Sequence, residues 1–131
     1  MILNTFINLA TKNVALTKTF FMKLGFEINE KFTDDEGMCV VVNDHTFMMI
    51  MTYNRFENFT ALKTPNSFKE NEVILTFELQ NKEEVDQFMG RVLENGGTEF
   101  GQAEDTDFMY YRSFRDLDGH HFEVFYFKKP V

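Results

Sequence analysis

The chain has 131 residues, 44% of them hydrophobic and 26% charged, with a formal net charge of −8 and a pI of about 4.8. These values describe one globular domain rather than a disordered segment, and the acidic balance excludes a nucleic-acid partner, whose phosphates call for clustered Lys and Arg. Cys39 is the single cysteine, so an internal disulfide is excluded, and no run approaches the ~18 apolar residues of a membrane span.

In chain order, a strand is predicted over Ile2 to Ala10. A helix follows Asn13, with Leu16, Phe20, Phe21 and Leu24 on one side, and Gly25 stops it. Three short strands come next, Phe26 to Lys31, Met38 to Val42 and Thr46 to Thr52. Asp34-Asp35-Glu36-Gly37 and Asn43-Asp44 supply the turns. Residues 53–71 read as a connection, with one helical turn near Arg55-Phe56-Glu57-Asn58-Phe59 and a break at Thr64-Pro65. Glu72 to Leu79 is a strand. Asn81 then caps a helix, and Glu84 completes a capping box. Val85, Phe88, Met89, Val92 and Leu93 form its apolar stripe, and Asn95-Gly96-Gly97 ends it. Strands follow at Thr98 to Gln102, Phe108 to Phe114 and His121 to Phe127.

The order strand, helix, three strands therefore occurs twice. Asn13 and Asn81, Phe20 and Phe88, and Leu24 and Val92 are each 68 residues apart. The expected fold class is α+β: two βαβββ modules forming a curved, partly closed mixed sheet with helices outside. Both modules belong to a single domain, 1–131, with module one at 1–52, a linker at 53–71 and module two at 72–131. The open side of such a sheet is the natural ligand pocket.

The last strand holds the strongest chemical signal. From His121 onward, odd-numbered side chains share one face, which sets Glu123 between His121 and Phe125. Burying a carboxylate is costly unless it is paired, so Glu123 is either a structural acceptor or an anchor for a ligand. Tyr110 and Tyr111 point to opposite faces of the preceding strand, so one of them shares the face of Glu123. Arg112 is near enough across the hairpin to reach it. His121 lies on the same face as Glu123, whereas His45 and His120 sit beside turns and are expected to be exposed. The 17 Phe and 8 Met supply either a packed core or the lining of an adaptable pocket. Cys39, within an apolar run, reads as a core residue. No Gly-rich phosphate loop, Gly-x-Ser-x-Gly elbow or Cys-x-x-Cys pair is present.

With the repeat and the segment Asp116-Leu117-Asp118-Gly119-His120-His121-Phe122-Glu123 in view, the chain resembles the vicinal oxygen chelate superfamily. That group includes glyoxalase I, bleomycin-resistance proteins, fosfomycin-resistance enzymes and extradiol dioxygenases. The first module is similar as well, through Asn8-Leu9-Ala10-Thr11-Lys12-Asn13 and the exit Phe20-Phe21-x-x-Leu24-Gly25-Phe26. The resemblance covers nearly the whole chain and points to small bacterial glyoxalase-like proteins. It implies metal ligands on the first and last strands of each module. Laid onto this sequence, those positions fall at Phe6, Met48, Ile74 and Glu123. Only Glu123 suits a hard or borderline divalent ion, so a divalent metal is disfavoured and no cofactor is expected.

The resemblance thus implies a glyoxalase/bleomycin-resistance-like protein that binds a small organic ligand without the family's catalytic metal. Glu123, the candidate catalytic group, would work with His121, Tyr110, Tyr111, Arg112, Met48, Phe6 and Asn8 as ligand-binding residues. Two alternatives stay open. One is a metal-dependent lyase, isomerase or extradiol dioxygenase with ligands from other positions. The other is a metal-independent enzyme using Glu123 as general base. The family also implies a homodimer. With no leader pattern at the N-terminus, the expected location is the cytoplasm, with no membrane partner.

Overall fold

Alternation of apolar side chains builds the first sheet. In the computed structural model, which describes residues 1–129, strand β1 (Thr5–Thr11) lies parallel to β4 (Thr46–Thr52). Antiparallel β3 (Gly37–Asn43) and the short β2 (Glu27–Ile28) complete the order β1-β4-β3-β2. Helix α1 (Val14–Leu24) starts where the Asn13 side chain accepts the Leu16 N–H and stops at Gly25, whose φ of 106° favours glycine. Its buried Thr17, Phe20, Phe21 and Leu24 mark the face it turns to the sheet. A hydrogen bond of 2.8 Å between the hydroxyls of Thr11 and Thr17 fixes which face that is. Met38, Val40, Met48 and Ile50, all nearly inaccessible, lie on it. Helix α2 (Tyr53–Thr60) follows β4 and packs on β1 and β4.

The second module repeats the plan with β5 (Ile74–Glu78), α3 (Lys82–Glu94), β6 (Thr98–Asp105), β7 (Met109–Arg115) and β8 (His121–Phe127). Its order is β5-β8-β7-β6, with β5 parallel to β8. The predicted capping box closes α3: the Asn81 side chain accepts the Glu84 N–H, and the Glu84 carboxylate accepts the Gln80 N–H. Of the stripe read from the sequence, Leu93 is 45% exposed at its margin, and Val85, Phe88, Met89 and Val92 are buried. They meet Phe114, Phe122 and Val124 of the sheet, all 0% exposed.

Both modules therefore have the βαβββ plan, with a mixed four-stranded sheet and a helix on one side. The chain divides into two compact units, Met1–Pro65 and Asn66–Val131. Among the described residues no helix is long and apolar enough to cross a membrane.

Several predicted elements differ in extent; β1 begins at Thr5 rather than Ile2 and ends at Thr11, and β5 is confined to Ile74–Glu78. The strand expected over Phe26 to Lys31 keeps only Glu27–Ile28, because the Asn29 side chain accepts the Lys31 N–H and starts a 3-10 turn at Glu30–Phe32. The single turn expected near Arg55 is a helix of 8 residues, capped by the Thr52 hydroxyl. Strand β6 runs past Gln102 to Asp105, with a shift of register between Phe100 and Glu104. Gly101 lies inside that shift with φ 71°.

Candidate functional site

The turn before β8 is built on Asp116. Its Oδ1 accepts the N–H groups of Asp118 at 3.0 Å and His120 at 2.9 Å, while Oδ2 meets His120 Nδ1 at 2.7 Å. Gly119 completes the turn at φ 90°, and Phe68 packs so closely that an added Cβ would sit 2.6 Å from its backbone nitrogen. His120 was expected to be exposed, yet its side chain is only 12% exposed because the Asp116 carboxylate draws it in. Burial alone would lower the His120 pKa, but Asp116 outweighs burial and raises it above the ordinary 6.5. Asp116, Asp118 and His120 are also the one group of metal-type donors lying within 4.8 Å of one another among the described residues. Their mutual hydrogen bonds make them a turn clamp.

The turn sets the register of β8 against β7, pairing Arg115 with His121, Ser113 with Glu123 and Tyr111 with Phe125. On the other side, β5 pairs Ile74 with His121 and Thr76 with Glu123. Since Phe114, Phe122 and Val124 face α3, all these partners lie on the opposite, helix-free face. Glu123 is half-buried there. Its oxygens receive only long hydrogen bonds, 3.3 Å from the Thr76 hydroxyl and 3.4 Å from the Ser113 hydroxyl. Among the described residues no Lys or Arg forms an ion pair with it.

His121 is 7% exposed. Its Nδ1 lies 3.3 Å from Asn71 Nδ2, and its ring meets Phe100 edge-on at 5.0 Å. With the Asn71 amide donating, Nε2 carries the proton, and that buried nitrogen has no partner. Burial lowers the His121 pKa, Arg115 adds to the effect and Glu123 opposes it.

The remaining candidates divide by strand parity. Tyr111 shares the face of Glu123. Tyr110 and Arg112 do not: the Tyr110 hydroxyl donates to Asp86 of α3 at 2.6 Å, and Arg112 grips Asp86 at 3.0 Å and Glu99 at 2.8 Å. The arginine that stands beside Glu123's face is Arg115. In the first module, Phe6 and Asn8 lie on the face turned away from α1, where Phe6 stacks on Phe47 at 5.1 Å. Met48 lies on the other face, against α1. The pairings equate Phe47 with His121, Met49 with Glu123 and Met51 with Phe125, a spacing of 74. The module-one counterpart of Glu123 is therefore Met49, and the earlier assignment to Met48 is one residue off. A slip of one residue reverses every side chain in a strand.

Sequence reasoning missed the residues that the linker brings to this face. The carbonyls of Ser67 and Gly119 accept from Arg115 Nη1 at 3.0 and 3.2 Å, and Asn71 reaches His121. No periodicity marks such isolated contacts. The place of Arg115 was within reach, because antiparallel pairing across Asp118-Gly119 matches odd residues with odd.

Comparison with solved structures places this architecture among the glyoxalase, bleomycin-resistance and dioxygenase structures: the chain has the vicinal oxygen chelate fold. It is similar to a hypothetical protein from S. aureus, at 28% identity and TM-score 0.84, covering 96% of this chain and 95% of that one. A glyoxalase/bleomycin resistance protein/dioxygenase family enzyme from Burkholderia phytofirmans matches at 16% identity and TM-score 0.79, over 92% and 95% of the two chains. A lactoylglutathione lyase from Agrobacterium tumefaciens matches at 14% identity and TM-score 0.67, over 93% and 91%. No family model and no curated protein matches the sequence.

This fold commonly carries a divalent metal, and the residues here do not fit one. With the corrected register, the four ligand positions hold Phe6, Met49, Ile74 and Glu123. A phenyl ring and an alkyl chain donate nothing, a thioether favours soft ions, and a single carboxylate does not make a site.

Proposed function

We propose that the chain binds a small organic ligand on the helix-free face of the second sheet, with Glu123 as its polar anchor and without the family's catalytic metal. The observation that carries this reading is the state of Glu123. It is a half-buried carboxylate with two long hydroxyl contacts and no cation. A half-buried anion so weakly held is completed by a positively charged or strongly donating ligand group. Phe100, Phe125 and Tyr111 on the same face offer the apolar and aromatic surface for the rest of such a molecule. The resemblance to bleomycin-resistance proteins, which sequester a cationic compound, supports the same class of ligand, and a homodimer accords with that family.

A thermal-shift screen of aromatic amines and amidines tests this. At least one compound is expected to raise the melting temperature by a few degrees at concentrations well above its Kd. The shift should disappear in Glu123→Gln, a variant that keeps the shape and the long hydroxyl contacts. A screen with no hit, or a hit unaffected by the substitution, rules out the proposal.

A further inference from the structure

Resting on that reading, we infer a narrower ligand class: an aromatic, amino-acid-like zwitterion. Its carboxylate would be received by Arg115 and His121, its ammonium by Glu123, and its ring would lie against Phe100. The register makes the face bipolar. Arg115 and His121 are directly paired across the hairpin. Glu123 follows two residues along the same strand face, a rise of about 7 Å. Adjacent opposite charges of an α-amino acid, each extended by a hydrogen bond of about 2.9 Å, bridge such a span.

Each end has unused capacity. Arg115 directs Nη1 to the carbonyls of Ser67 and Gly119, which fixes its guanidinium over Phe100 with 4.9 Å to the ring centroid. Among the described residues its Nε and Nη2 have no hydrogen-bond partner, and neither is a buried orphan. They remain available for a carboxylate in the fork geometry suited to it. The His121 Nε2 is buried and unpartnered, and a buried donor left unmade is costly. Phe100 packs on that imidazole but is itself 48% exposed, so it can turn aside for an acceptor.

The two ends also disfavour other classes. An aromatic carboxylate without an amine brings its charge toward Glu123 unpaired, and an aromatic amine without a carboxylate meets the Arg115 end unpaired. A free anion is further repelled by a chain of net charge −8, while a neutral zwitterion is not.

Isothermal titration with L-phenylalanine, 3-phenylpropanoate and 2-phenylethylamine separates these cases. Phenylalanine is expected to bind about tenfold more tightly than either analogue, the scale of one charge-assisted hydrogen bond. Glu123→Gln should abolish its advantage over 3-phenylpropanoate without weakening the latter. If either analogue binds as tightly as phenylalanine, or phenylalanine does not bind, the zwitterion is overturned. The ligand face is judged separately: an amine that binds wild type and is lost in Glu123→Gln keeps that face while sinking the narrower class.

Discussion

Phe122→Ala is expected to lower the unfolding free energy by about 4 kcal/mol. Phe122 is 0% exposed. It stacks on Phe114 with ring centroids 5.0 Å apart and planes at 5°, and it meets Phe77 at 5.8 Å. Together with Val124 it forms the side of β8 that packs on α3, so truncation removes aromatic contacts on two neighbouring strands and leaves a cavity between sheet and helix. The alternation of β8 ties this loss to the site, because the strand that buries Phe122 on one face displays His121 and Glu123 on the other. Urea denaturation should show a lower midpoint. A midpoint within error of wild type would mean that Phe122 is not a core residue and that the parity assigned to His121 and Glu123 is wrong.

Asp116→Ala should cost about 3 kcal/mol or more. Three hydrogen bonds converge on one carboxylate that is 2% exposed. Removing it strands two backbone N–H groups and the His120 ring inside the turn that sets the β7–β8 register. A pH signature accompanies the loss. The His120 pKa is raised in the folded state, so its stabilising contribution is full below the unfolded value of about 6.5 and is lost as pH rises through the folded pKa. His121 runs the other way. Its folded pKa is depressed, so its contribution is full above about 6.5 and is lost as pH falls. The stability difference between wild type and Asp116→Asn should therefore shrink as pH rises above about 6.5. Histidine NMR titrations should place His120 above the ordinary value and His121 below it. A His120 that titrates below 6.5 would contradict the Asp116 clamp.

The repeat was legible because each module carries the same local signals at a fixed spacing. Asn13 and Asn81 precede helices whose apolar stripes meet strands of alternating pattern; the Asn81 cap forms as read, and the structure shows Asn13 capping in the same way. The last strand of each module was legible to its ends, bounded by turn residues whose chemistry admits few alternatives. The site was less legible because it depends on register rather than composition. Met48 and Met49 are chemically alike, and only the pairing of β4 with β1 decides which of them stands where Glu123 stands. Tyr110 and Arg112 drew attention as polar groups near Glu123, but Asp86 and Glu99 claim them on the helix side. Sequence periodicity does not show cross-element ion pairs of that kind. The contributions of Ser67 and Asn71 come from a linker with no pattern, positioned by Phe68 against Gly119.

We propose that this fold is used here without its customary metal, because the donor set at the four strand positions contains one carboxylate and no imidazole. Metal content measured by elemental mass spectrometry tests it most directly. The tag-free protein would be loaded separately with Ni²⁺, Zn²⁺ and Fe²⁺ and then desalted. Far less than one ion per chain is expected in every case, with no difference between wild type and Glu123→Gln. Close to one tightly held ion per chain, lost in Glu123→Gln, would contradict it.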